Sequence, residues 1–416
     1  MNSNEHIDHL FRHQFGKMVG VLTKIFGLAH IETIEDAVQD TFIKAVDAWK
    51  EGMPPNPEGW LMMSAKNRVI DLFRSLKSER ERKERFYAGP SSIAISQVFL
   101  DHEVEDAQLR MIFTACHPIL APKEQIAFAL KTVAGFSQKE IAAGLLMKEE
   151  TIKKRLQRAR QTIRNEGISF RVPIGQELIE RKDRVLEVLY LIFNEGFHST
   201  QQESLIHQDL CAEAMRLTQL LLKNPVTEDP KTHALFALMC FHASRLDSKV
   251  DAEGILVDLE HQDRSLWVQE YQHLGNIHMH KAVATEDLSA YHFEAAVAAE
   301  HLKAQSFEET DWKQIAYWYQ KLQEVAPSSM VQLNLAVVHL QMKDHETAES
   351  VLNSMNQSEL QQRGYLWHAL NAEILFHKGQ IENALIEMHN AIELTNNTSE
   401  KGYLRQKKEK WESHLN

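Results

Sequence analysis

Apolar residues in this chain return every three or four positions in segment after segment, as in "IEDAVQDTFIKAVDAW" (34–49), "GWLMMSAKNRVIDLFRSL" (59–76), "VQLNLAVVHLQM" (331–342) and "GYLWHALNAEILFHKG" (364–379). That spacing is the period of a helix buried along one face. No stretch alternates apolar and polar residues between turn signals, as a half-buried strand would. The fold class that follows is all-α. Two interruptions punctuate the front of the chain. The three prolines of "KEGMPPNPEG" (50–59) cannot lie inside a helix, and "YAGPSSIAIS" (87–96) has the small, polar composition of a linker. Two small helical bundles therefore precede residue 170.

A chain of 416 residues has room for several domains. Cys116, Cys211 and Cys240 are too far apart for a C-x-x-C metal site and too few for a disulfide framework, which fits a reducing compartment. The amino terminus lacks a basic stretch followed by an apolar run, and no segment approaches about 18 uninterrupted apolar residues. The expectation is a cytoplasmic protein with no membrane partner. The formal net charge is −12, yet residues 1–170 hold 24 Lys+Arg against 22 Asp+Glu, and the rest hold 22 against 36. An anionic polymer would meet the front with little penalty and be repelled by the rear.

One basic segment stands out. "KEQIAFALKTVAGFSQKEIAAGLLMKEETIKKRLQRARQTIR" (123–164) divides into a helix, a turn at "AGF", a short helix, a second turn and a strongly basic helix, the order of a helix-turn-helix. Ser137 with Glu140 forms a capping box that starts the short helix, and Gly135 frees the turn before it. Ile152, Leu156, Ala159 and Ile163 form the buried stripe of the last helix, which turns its basic residues outward. In such a motif, residues near the helix start reach base edges and later ones hold phosphates. The candidate readers are Glu150, Thr151, Lys153, Lys154 and Arg155, with Arg158 and Arg160 on phosphate. Taken alone, the same charges also suit a merely solvated helix face.

The first bundle narrows the class. "DAVQDTFIKAVDAW" (36–49), a proline-broken loop, and "NPEGWLMMSAKNRVIDLFRS" (56–75) resemble, in type and order, the second region of extracytoplasmic-function (ECF) sigma factors in the sigma-70 superfamily. The resemblance implies that Asp36, Gln39, Asp40 and Phe42 dock on the beta-prime clamp helices of core RNA polymerase. It implies that Asn67, Arg68 and Asp71 capture a flipped base of the melted promoter, for which Asn supplies both a donor and an acceptor. The helix-turn-helix would then read the distal promoter element. Trp49 and Trp60 suit core packing at two helix ends. "RSLKSERERKER" (74–85) suits either a solvated helix end or DNA-backbone contact.

Beyond residue 170 the resemblance continues, to the sigma subgroup with a long tetratricopeptide-like extension, through "VLEVLYLIFNEGFHS" (185–199), "LFALMCFHASR" (235–245) and "LVDLEHQDRSLW" (256–267). Independently, an offset of 36 places Ala336 on Ala372, Glu346 on Glu382, Ala348 on Ala384 and Leu352 on Met388, with Lys343 opposite Gly379. Small residues twelve apart let antiparallel helices approach closely, as in a tetratricopeptide unit.

The expected domains are a sigma region 2 over 1–86, a linker over 87–106, a region 4 helix-turn-helix over 107–168, a helical extension over 169–285 and repeats over 286–416. His242, Arg245, Glu260, Asp263 and Arg264 are expected to form a polar network that fixes the extension or docks it on the sigma domains, with a small-ligand site as the other reading. No nucleotide, hydrolase or zinc motif is visible, so no catalytic residue, metal or cofactor is assigned. The function these features predict is an alternative sigma factor that binds core RNA polymerase and promoter DNA, regulated by intramolecular contact with its own extension. The alternative is a helix-turn-helix regulator with a ligand-sensing repeat domain that does not bind core.

Overall fold

Three prolines at 54, 55 and 57 separate the helices that begin the fold. Helix α2 (Ile31–Ala48) stops before them, and α3 (Pro57–Arg80) starts on Pro57, with Asn56 Oδ1 accepting from the Gly59 amide at 2.9 Å. Proline is tolerated at that first position because its missing N–H would have no partner inside the helix. The computed structural model describes residues 3–50, 52–80, 101–145, 147–197, 208–251, 255–395 and 397–413. Among them every regular element is helical, apart from an isolated bridge between Val250 and Leu256. The linker segment 87–96 and residues 81–85 of the charged run lie outside the described residues.

The chain divides into two compact units, residues 1–192 and 193–416. In the first, α1 (Ser3–Phe26), α2 and α3 bury Phe15, Met18 and Leu22, Ile34, Val38 and Phe42, and Leu61, Ala65 and Val69. These are the apolar positions that recur at three and four along each helix. Helices α4 (Asp101–Ala115), α5 (Pro122–Thr132), α6 (Gln138–Gly144) and α7 (Glu149–Asn165) follow. Helices α4 and α5 pack on α1, the end of α5 at very short range, since a Cβ on Gly16 would stand 1.8 Å from the Val133 carbonyl oxygen. Glycine is the residue that allows this approach. The unit runs past the expected boundary at 168 because α8 (Gln176–Phe197) is tied back to it. Arg181 donates to the Phe113 carbonyl, and Arg184 Nε to Gln125 Oε1 at 2.6 Å.

The second unit contains α9 (Gln208–Lys223), α10 (Pro230–Ala243), α11 (Gln269–Ala282), α12 (Ala290–Lys303) and α13 (Trp312–Val325). Helix α10 is buried from Thr232 through Phe241, which explains why it is apolar all round rather than striped. Two helical hairpins follow: α14 (Ser329–Gln341) with α15 (His345–Ser354), and α16 (Tyr365–His377) with α17 (Ile381–Leu394). Helix α18 (Thr398–Glu412) comes last. Ala336, Ala348, Ala372 and Ala384 are fully buried, as their twelve-residue separation requires of two closely packed helices. The hairpin turns repeat atom for atom. The Asp344 amide donates to the His339 carbonyl and the Gln380 amide to the Leu375 carbonyl, both at 2.9 Å. Lys343 and Gly379 occupy the same left-handed position, at φ 62° and 78°.

All three cysteines are buried, and burial pushes each thiol up to about 12. They are therefore inert packing residues rather than nucleophiles. No helix among the described residues is long and apolar enough to cross a membrane.

Candidate nucleic-acid interface

The helix-turn-helix forms around the cap that starts its short helix. The Ser137 amide donates to Glu140 Oε2 at 2.8 Å, and the Glu140 amide donates back to Ser137 Oγ at 3.1 Å. Gly135, at φ 77°, makes the turn before it. Helix α7 presents Ile152, Leu156, Ala159 and Ile163 inward, each 3% exposed or less. That fixes the rotation of the helix and sends Glu150, Lys153, Lys154 and Arg158 into solvent, with Thr151 and Arg155 half-buried beside them. Glu149 and Glu150 lie in the first turn, where acidic side chains meet the positive end of the helix dipole. Glu150 also lies 3.7 Å from Lys154, an exposed pair of little energetic weight.

Arg160 turns the other way. Its guanidinium bonds Glu35 on α2, which is 2% exposed, and lies 3.4 Å from Glu32 Oε1. Burial raises the Glu35 carboxyl above its usual range, against the opposing pull of Arg160 and Lys131. Lys131 is itself buried, 5.2 Å over the Phe15 ring. The basic helix is thus fastened to the first bundle through a buried charge cluster, and Arg160 is not available to phosphate in this arrangement.

On α2, Asp36 and Gln39 are exposed and Asp40 is half-buried. Phe42 departs from the expected docking role. It is 4% exposed and meets Phe11 edge-on at 4.8 Å, because position 42 belongs to the inward stripe with Ile34, Val38 and Thr41. The apolar residues that α2 does present outward are Ile43, 62% exposed, and Val46. Ile43 shares its face with Glu32, Asp36 and Gln39, so counting round the helix from the Ile34–Val38 stripe would have found it.

On α3, Asn67 and Asp71 share an exposed stripe with Met63 and Arg74. Arg68 leaves that stripe, bonding Asp40 Oδ2 at 2.8 to 2.9 Å and so bracing α3 against α2. Asp71 lies 3.6 Å from Arg74 in an exposed pair. Trp49 and Trp60 meet edge-on at 5.3 Å where α2 ends and α3 begins.

In the second unit, His242 and Arg245 come together, with Arg245 Nη2 3.5 Å from His242 Nδ1. Arg264 bonds the carbonyls of His301 and Ala304 at 2.9 and 2.7 Å. Glu260 and Asp263 do not join this buried group. Both are exposed, and Asp263 caps a short turn by accepting from the Ser265 amide at 2.8 Å. The residues absent from the sequence reading are Lys249, one turn beyond Arg245, and His301 on α12.

Comparison with known proteins places these bundles. The chain matches Sigma-70 region 2 over residues 10–79 and Sigma-70 region 4 over 110–163, and a family of unknown function (DUF6596) over 181–283. An uncharacterized protein of Rhizobium meliloti (strain 1021) is 32% identical over 400 residues, covering 93% of this chain and 91% of its own length. The ECF RNA polymerase sigma factor SigE of Mycolicibacterium smegmatis is 27% identical over 158 residues, covering 38% of this chain and 60% of that protein. No solved structure matches. Region 2 coincides with the helices that carry the Asp36 and Asn67 faces, and region 4 with the capped helix-turn-helix behind them, so the chain belongs to the sigma-70 family as an ECF-like sigma factor.

Proposed function

We propose that the chain docks on the beta-prime clamp helices of core RNA polymerase through the outward face of α2, with Asp36, Gln39, Ile43 and Val46 as the contact residues. Asn67 and Asp71 on α3 then capture a base of the melted promoter, while Lys153, Lys154, Arg155 and Arg158 on α7 meet the distal element, with Glu150 and Thr151 at the groove edge. The observation that carries this reading is the simultaneous exposure of three stripes, one each on α2, α3 and α7, in the order of the two matched sigma regions. The protein acts in the cytoplasm and performs no covalent chemistry.

The closed first unit adds a condition. Arg160 grips Glu32, which lies on the same face of α2 as Asp36, Gln39 and Ile43. Full engagement of polymerase and of two separated promoter elements therefore requires α7 to release α2. The carboxyl-terminal unit regulates that release by contacting the sigma regions in the same chain.

Reconstitution with core polymerase tests the function. Purified protein should start transcription from a cognate promoter in a genome-wide template pool, and silence with active core would refute it. Comparing the full chain with one ending at Ile192 tests regulation, since equal core binding and equal transcript output would remove the regulatory role.

A further inference from the structure

Arg245 is a charge set within the second unit. It projects just beyond the end of α10, deep in the second unit, with its guanidinium 5.2 Å from the Phe197 ring centre and 3.5 Å from His242 Nδ1. Among the described residues no carboxylate stands within ion-pair distance of it. Lys249 is close by, 5% exposed, its Nζ 2.6 Å from the Phe197 carbonyl oxygen and 3.4 Å from the ring centre. It too has no carboxylate in ion-pair distance, and Glu400 acts on it only through space. Burial and the Arg245 charge hold the Lys249 ammonium well below its usual range, so Arg245 is left as a half-buried cation with no counter-ion among the described residues.

Lys249 has an internal role, since its ammonium caps the last carbonyl of α8, where a cation also meets the negative end of the helix dipole. Beyond the contact with His242 Nδ1, Arg245 has no carbonyl or carboxylate partner for its five donors among the described residues. The groups around it are chosen for neutrality. Burial and the Arg245 charge hold His242 well below the usual imidazole range and bring His301 down to about 3. Both rings are therefore uncharged at neutral pH, and each has one N–H to donate. His301 Nδ1 is sealed from solvent without a hydrogen-bond partner. Burial also brings Arg245 itself down to about 10, against the opposing influence of the Tyr319 hydroxyl on α13. His242, Arg245, His301 and Tyr319 each keep part of their surface exposed, although His301 Nδ1 itself is sealed.

We propose that His242, Arg245, His301 and Tyr319, backed by Phe197 and Lys249, bind a small oxyanion, the carboxylate or phosphate group of a small-molecule ligand. Arg245 forms the forked ion pair, the neutral imidazoles add hydrogen bonds without adding repulsion, and Phe197 forms an apolar wall. The site lies within the second unit and depends on no contact with polymerase or DNA. Failure of the sigma reading therefore leaves it standing, and its own failure leaves the sigma reading untouched.

The test is calorimetry and thermal unfolding of the full chain with sodium phosphate and with sodium benzoate, against sodium chloride at equal ionic strength. One of the two anions should bind saturably and raise the melting temperature, and which one does so assigns the ligand class. Arg245→Gln should weaken binding about tenfold or more, as expected when a charged hydrogen bond is lost. Glu260→Gln, on an exposed side chain, should bind as the parent does. If Arg245→Gln does not fold, His301→Gln provides the same comparison. No binding above the chloride reference, or equal binding by the parent and the folded variant, would overturn the proposal.

Discussion

Removing Arg160 should destabilise the first unit by an amount that depends steeply on pH. In the parent, Arg160 bonds Glu35, which is 2% exposed, with Lys131 as a second positive neighbour. Arg160→Gln strands that carboxylate, and a lone buried charge costs about 3–5 kcal/mol. The carboxyl can escape by taking a proton. From its ordinary 4.5, at about 1.36 kcal/mol per pH unit, protonation costs about 3.4 kcal/mol at pH 7 and about 0.7 kcal/mol at pH 5. The chain takes the cheaper route, so these figures are ceilings on the loss. The Glu35 pKa in the folded protein is already above its unfolded value, and the variant raises it further. Such a group favours folding fully below 4.5 and loses that contribution as pH rises through the folded pKa. The variant loses it over a wider window, so its deficit relative to the parent grows from pH 5 to pH 7. Hydrogen exchange of α2 and α7 amides in the full chain reads this deficit within one unit, where a single unfolding curve would mix two. We expect about 2–3 kcal/mol at pH 7 and below about 1 kcal/mol at pH 5. Adding Glu35→Gln should restore most of the loss and flatten its pH dependence. Equal deficits at both pH values, or no restoration in the double variant, would refute the charge account and leave packing as the cause.

The remaining expectations concern shape and contact. Lys343→Gly should stabilise the second unit by about 0.5 kcal/mol, because it relieves a left-handed lysine where the next hairpin already uses glycine; thermal unfolding reads the gain. Gly16→Ala should cost about 3 kcal/mol, since its Cβ meets the Val133 carbonyl rather than a yielding side chain, and faster exchange in α1 and α5 would report it. Lys153→Ala should leave stability unchanged and reduce the slope of promoter affinity against log salt by about 0.9, as one lost phosphate contact predicts. Ile43→Asp, at an exposed position, should weaken association with core polymerase about tenfold or more without lowering the melting temperature.

How far each feature was legible in the sequence follows from how many partners it has. The α7 stripe of Ile152, Leu156, Ala159 and Ile163, the Ser137 capping box and the paired alanines of the two hairpins each depend on one helix or its nearest neighbour, and periodicity finds them. Phe42 misleads because position 42 lies beside the outward stripe and only its packing on Phe11 of α1 decides its direction. Arg160 misleads for a stronger reason: its partner Glu35 is 125 residues away, and an arginine among outward-facing arginines bears no local mark of being buried. Glu260 and Asp263 look equivalent to Arg264 in the string "EHQDRSLW", yet only Arg264 finds inward carbonyls, at the end of α12, thirty-seven and forty residues further along. The Arg245 cluster joins α8, α10, α12 and α13, so no window of sequence contains it. Charge is where this difference is sharpest. A buried apolar residue announces itself by recurring, whereas a buried charge depends on distant groups: on Glu35 for Arg160, and on the surroundings supplied by several helices for Arg245.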